Sequence, residues 1–160
     1  MASYTENLPP LDKIDREILA VLVHDGRISM TDLAARVGLS KTPVAVRVRR
    51  LEASGVIAGY HAELSARRLG LDHIAFVELR LSDTRERALQ AFNSAVRMIV
   101  EVEECHMIAG GFDYLIKVRT RDIAEYRRVL SEQISALPHI ASTSTYVSIE
   151  TVRGPGVQRV

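Results

Sequence analysis

The chain has a single cysteine, Cys105, among 160 residues, so no internal disulfide can form and no second thiol joins it in a metal site. A reducing cytoplasm suits such a chain. Charge of one sign is scarce as well: 21 basic residues stand against 20 acidic ones, a formal net charge of +1. That balance excludes a whole-molecule basic coat that binds nucleic acid indiscriminately. Long apolar runs are missing; LAVLV at 19–23 is far short of the ~20 residues that cross a bilayer. No basic start leads into an apolar segment, so neither secretion nor membrane insertion is expected. Walker loops, GxSxG and HExxH are absent too. Cys105 and His106 are adjacent, but neighbours on a strand point to opposite faces, which argues against a nucleophile and its base. His24, His61, His73 and His139 have no ligand spacing. No catalytic residue, metal or cofactor is expected.

What is present is enough apolar surface for real cores, 47% hydrophobic residues with 26% charged, in a length that fits one domain or two small ones. Pro9-Pro10 closes an extended arm at 1–10. From Asp12, apolar Ile14, Ile18, Leu19 and Leu22 recur at helical spacing, and Asp25-Gly26 is a stop. Ser29-Met-Thr-Asp32 has the form of a capping box for a short helix ended by Gly38. Ser40 caps a third helix, in whose first turn Pro43 breaks no hydrogen bond.

Helix, short helix, glycine turn and helix make a helix-turn-helix at 11–60. Residues 36–50 hold five basic side chains and no acid, whereas 61–160 hold thirteen of each sign. On a helical wheel Val44, Val48 and Leu51 face the core, Thr42, Val46, Arg49 and Arg50 face away, and Arg47 lies at the flank. An outward valine suits thymine methyl groups in a major groove; the alternative is an ordinary solvated basic face.

After a linker at 61–72 the pattern changes. Residues 73–82 alternate like a strand, 85–99 are amphipathic, 100–108 and 114–120 are extended around a Gly-Gly turn, 122–137 are helical and 140–152 are extended. The order βαββαβ over 73–152 is the ferredoxin-like split unit, followed by a tail at 153–160. Two helices cover one face of its sheet, and the apolar residues left on the other face predict a second subunit there. The fold class is therefore α+β, a three-helix helix-turn-helix module ahead of a ferredoxin-like domain. Arg119, Arg121, Arg127 and Arg128 form a second basic patch, read as a solvated or intersubunit surface.

Several spaced stretches, LDKIDREILAVLVHDGRIS, DLAARVGLSKTPVAVRVRRLEASGVIAGY, FVELRL, ECHMIAGGFDYLIKV, YRRVL and TSTYVSIETV, resemble the Lrp/AsnC family of bacterial transcription factors collinearly from about residue 11 to 152. The resemblance implies a winged or simple helix-turn-helix, a hinge and an amino-acid-sensing domain that dimerises and assembles further into tetramers or octamers. It points to the branch that regulates amino-acid degradation, including the proline-utilisation activators. Carried onto this chain, Ser40, Lys41, Thr42, Pro43, Val46, Arg47, Arg49 and Arg50 would meet a pseudo-palindromic operator in double-stranded DNA. The effector, a free amino acid of the proline or branched-chain type, would bind at Gly110, Gly111, Phe112, Asp113 and Tyr114 with Thr143 and Thr145 on the last strand. There the turn's amides would hold its carboxylate and Asp113 its ammonium; Ser142 and Ser144 take the place of the threonines if the strand faces the other way. Many relatives carry Asp where this chain has Gly111. A plain hairpin turn with glycine at positive φ is the alternative. Two other functions are weighed: a haem-precursor decarboxylase of similar architecture, and an amino-acid-binding module without DNA binding. The basic segment disfavours both.

Overall fold

The computed structural model describes residues 10–152; the expected arm, up to residue 9, and the expected tail at 153–160 lie outside the described residues. Residues 10–63 belong to one compact unit and Leu64–Val152 form a second.

In the first unit three helices enclose one core: α1 (Lys13–His24), α2 (Met30–Arg36) and α3 (Lys41–Ala53). Asp12 caps α1 through a complete capping box: its side chain accepts from the Asp15 N–H at 2.8 Å, and the Asp15 carboxylate accepts from the Asp12 N–H at 3.2 Å. The box expected at Ser29 is half formed. Ser29 Oγ accepts from the Asp32 N–H at 3.1 Å, but its hydroxyl donates to the Asp32 carboxylate at 2.6 Å, which therefore does not turn back to the backbone. Gly38 takes φ 67 after α2, a left-handed conformation that a Cβ makes costly. Ile18, Leu19, Leu22, Leu33, Val37, Val44, Val48 and Leu51 form the core, which matches the inward stripe expected for α3. No strand follows α3 before residue 73; one 3-10 turn, Arg67–Leu69, is the regular structure of that stretch, so the described residues carry no wing hairpin.

The second unit runs β1 (His73–Leu81), α4 (Glu86–Val96), β2 (Val102–Met107), β3 (Tyr114–Thr120), α5 (Ile123–Val129) and β4 (Ile140–Val147), the expected βαββαβ. The sheet order is β2-β3-β1-β4, with every neighbouring pair antiparallel. Side chains directly opposite one another share a face. The rows Met107–Tyr114–Leu79–Thr143 and Cys105–Ile116–Val77–Thr145 therefore lie on the helix side with Phe92, Val96, Tyr126 and Val129.

Two expectations are corrected here. The second helix does not continue regularly to Leu137: after Val129 it widens into one π turn, Leu130–Ile134, with the Ser135 N–H donating to the Leu130 carbonyl at 2.9 Å. Val129 and Ile134, five residues apart, are both fully buried, so the wider turn keeps both in the core where a regular α-helix would rotate them apart. The face away from the helices is not uniformly apolar. Ile74, Phe76, Leu115 and Tyr146 share it with Glu78, Arg80 and an ion-pair cluster in which Lys117 bonds Glu103 at 3.1 Å and Glu104 at 3.0 Å, and Arg119 bonds Glu103. The alternation seen in β1 could not show that β3 brings charges to that face. Among the described residues no helix is long and apolar enough to cross a membrane.

Candidate nucleic-acid interface and effector turn

Ser40 stands at the N-cap of α3 in extended geometry (φ −80, ψ 161), but its hydroxyl makes no capping bond, contrary to the role expected of it. The hydroxyl is exposed and free to meet another group. Lys41, Thr42 and Pro43 fill the exposed first turn. With no N–H, Pro43 costs no intrahelical bond there. Across the outer face lie Val46, 59% exposed, and Arg49. Among the described residues Lys41 and Arg49 make no ion pair, so their charge is directed at solvent.

Arg47, expected at the flank, and Arg50, expected to face outward, both bond to acids at the start of α1. Arg47 Nη1 donates to Asp12 Oδ2 at 2.6 Å and to Asp15 Oδ1 at 2.8 Å; Arg50 Nη2 donates to Asp15 Oδ2 at 2.5 Å. Asp15 is fully buried. Its own backbone N–H, and then the Arg47 guanidinium, hold the Asp12 carboxyl below the usual carboxylate range. The two carboxylates in turn push Arg47 above its ordinary value. Reasoning on α3 alone misses Asp12 and Asp15. The available signal was two acids three apart on α1 matched by two arginines three apart on α3, a spacing that puts each pair on one helix face.

In the second unit the structure keeps Gly110, Gly111, Phe112, Asp113 and Tyr114 together at the β2–β3 turn. The turn is not built on left-handed glycine: neither Gly110 nor Gly111 has positive φ, and a Cβ on Gly111 would meet nothing within 4 Å. Asp113 is not idle. Its Oδ2 accepts from the Leu81 N–H at 2.7 Å and its own N–H donates to the Leu79 carbonyl at 3.0 Å, tying the turn across the end of β1 where the β1–β4 register shifts. Tyr114 points into the core, its ring 4.4 Å from that of Phe92, and its hydroxyl is buried. Beside it lies a cavity of about 210 Å³ lined by Asn93, Val96, Arg97, Cys105, Met107 and Tyr114. Burial raises the Cys105 thiol above its ordinary value.

Thr143 and Thr145 do not join the turn. They face the helix side with β1 between them and β3, and the Tyr126 and Thr145 hydroxyls lie 2.5 Å apart in a hydrogen bond. Ser142 and Ser144 face the other way, beside Arg80 and Glu78. The second basic patch is largely neutralised: Arg119 by Glu103, Arg121 by Glu125 at 2.9 Å, and Arg128 by Glu132 at 3.5 Å.

Two family models match the chain: a winged helix-turn-helix DNA-binding model over residues 11–58, and the Lrp/AsnC ligand-binding domain over 74–156. The proline dehydrogenase transcriptional activator of Rhodobacter capsulatus is 61% identical over 142 residues, 89% of this chain and 92% of that protein. The leucine-responsive regulatory protein of Klebsiella pneumoniae is 47% identical over 143 residues, 89% and 87% of the two chains. A transcriptional regulator of Neisseria meningitidis, solved in complex with L-Met, superposes with a TM-score of 0.85 at 27% identity, covering 91% of this chain and 94% of that one. These relatives are named as regulators and activators of transcription, not as haem-precursor decarboxylases. With its helix-turn-helix ahead of an amino-acid-sensing domain, the chain belongs to the Lrp/AsnC family of DNA-binding transcriptional regulators.

Proposed function

We propose that this regulator activates amino-acid catabolism, the gene for proline dehydrogenase first, and that a free amino acid, proline or a branched-chain type, adjusts its grip on DNA. The exposed outer face of α3 carries the reading. A 59%-exposed valine between an unpaired lysine and an unpaired arginine is a poor surface for water, but it suits thymine methyls flanked by phosphates. The 61% identity to an activator of proline dehydrogenase transcription supports the target. The protein would act in the cytoplasm, at the nucleoid.

Base and phosphate contacts would come from Ser40, Lys41, Thr42, Val46 and Arg49, with Pro43 shaping the first turn. The effector would sit at Gly110–Tyr114, its carboxylate on the turn's amides and its ammonium near the remaining Asp113 oxygen. A second copy would pack on the open sheet face, where Phe76 and Tyr146 are 37% and 54% exposed, and such dimers would assemble into tetramers or octamers. Two-fold symmetry then demands a pseudo-palindromic operator.

Fluorescence anisotropy with a duplex from upstream of the host's proline dehydrogenase gene tests this against a random duplex. The upstream duplex should bind more tightly, and L-proline should shift that affinity. Equal binding to both duplexes would overturn the target.

A further inference from the structure

We propose that Arg47 and Arg50 are positioning residues rather than DNA contacts: buried Asp15 holds both guanidinium groups and thereby fixes how α3 presents Lys41, Val46 and Arg49 to a duplex. The inference rests on α3 being the DNA-reading helix.

The core between α1 and α3 is made of Ile18, Leu22, Val44, Val48 and Leu51. Apolar packing of this kind is close but non-directional, so by itself it does little to oppose a small rotation or slide of one helix along the other. The ion-pair cluster adds direction. Asp12 and Asp15 are three residues apart at the start of α1; Arg47 and Arg50 are three apart on α3. Each pair therefore lies on one helix face, and the two faces meet.

Every polar atom of the buried carboxylate is engaged. Asp15 Oδ1 accepts from Arg47 at 2.8 Å, while Oδ2 accepts from Arg50 at 2.5 Å and from the Asp12 N–H at 3.2 Å. Arg47 Nη1 also reaches Asp12 Oδ2 at 2.6 Å. The cluster thus ties the N-terminal cap of α1 to the middle of α3 across 32 to 35 residues of sequence.

Competition with DNA favours this arrangement. An arginine that turned outward to a phosphate would exchange a desolvated carboxylate for a solvated partner and leave Asp15 half compensated. Opposite charges attract more strongly in the drier site, and a buried charge stripped of its partner is costly. Lys41 and Arg49 give up no such partner when they meet a phosphate. Side-chain exposure adds to this for Arg47, which is only 28% exposed; Arg50 is 44% exposed and is assigned by its bond to buried Asp15 alone.

Counterion release separates the two roles, because each cation that neutralises a phosphate steepens the dependence of log K on log salt by about one. The full-length protein is titrated at several KCl concentrations with a labelled random duplex and with the duplex from upstream of proline dehydrogenase. Lys41→Ala and Arg49→Ala should each flatten the slope by about one for every phosphate that is no longer neutralised. Arg47→Ala should keep the wild-type slope on the random duplex while losing roughly tenfold or more of the preference for the upstream one, the scale of one misread base pair. Arg47→Lys serves as the second variant should the alanine form unfold, since it keeps the charge but not the longer, planar guanidinium whose Nη1 bridges Asp12 and Asp15. It should match Arg47→Ala in its reduced preference.

A slope flattened by Arg47→Ala as much as by Arg49→Ala would overturn the proposal. So would an Arg47→Lys protein with full preference, because a plain phosphate contact tolerates lysine. A wild type that prefers neither duplex would count against the proline dehydrogenase target alone; the slopes on random DNA still decide the roles of the arginines.

Discussion

Replacing Asp113 tests two roles at once, and the structure shows how to separate them. Its Oδ2 takes the Leu81 N–H at 2.7 Å, at the point where the β1–β4 register shifts. Leu81 is only 9% exposed, so water is a poor substitute for that acceptor. Asp113→Ala therefore leaves a largely buried N–H without a partner, and the loss of a charge-assisted bond costs about 2 kcal/mol. For a unit the size of Leu64–Val152 that is a fall in Tm of about 10 °C. Asp113→Asn keeps a carbonyl oxygen in place and loses only the charge, so its cost should be about 1 kcal/mol or less, near 5 °C.

Scanning calorimetry of the full chain at fixed protein concentration reads both shifts, and amino-acid titration of the asparagine variant then reports the charge alone. Proline binding lost in Asp113→Asn with the fold intact assigns the ammonium to this carboxylate. A Tm for Asp113→Ala within about 2 °C of wild type would refute the reasoning, since even 1 kcal/mol moves a domain of this size further.

Urea unfolding should show Arg47→Ala and Arg50→Ala to be more than additive, because either arginine still compensates Asp15 when the other is removed and neither remains in the double variant. Additive midpoints would mean that the two act independently. Acid should weaken the second unit between the ordinary carboxylate range and pH of about 2, where hydrogen bonds from Arg85 to Asp83 and from Arg121 to Glu125 hold those carboxyls. A folded value below the unfolded one contributes stability above the unfolded value and loses it as pH falls towards the folded one; melts at pH 5, 4 and 3 should show a shallower decline in Glu125→Gln. Gly38→Ala should lower stability by about 1–2 kcal/mol, because a left-handed φ of 67 penalises a Cβ. Gly111→Ala should leave the melting temperature at or slightly above wild type, since its Cβ enters open space without a positive φ.

Local chemistry along the chain determined the elements themselves. Apolar spacing in Ile18, Leu19 and Leu22, and in Val44, Val48 and Leu51, marked two helices by their buried stripes, and all six side chains are core residues. Alternation through residues 73–82 and 114–120 marked β1 and β3, and Asp122 marked the start of α5, where it accepts from the Glu125 N–H at 2.8 Å. Such signals are legible because capping and amphipathicity act within one or two turns of the residues that carry them.

Tertiary structure decided where those elements' outward groups go. A wheel could place Arg47 at a flank and Arg50 outward, but only the packing of α1 against α3 brought Asp15 to them. The face of β4 was equally open until its register with β1 put Thr145 beside Tyr126 and Ser144 beside Glu78, since a slip of one residue would exchange the two sets. Asp113 looked like a free ligand because its partner, the Leu81 N–H, comes from a strand 32 residues away. Sequence periodicity reports which side of an element avoids water. Which charge, hydroxyl or amide it meets there depends on distant segments brought into contact by burial of the core.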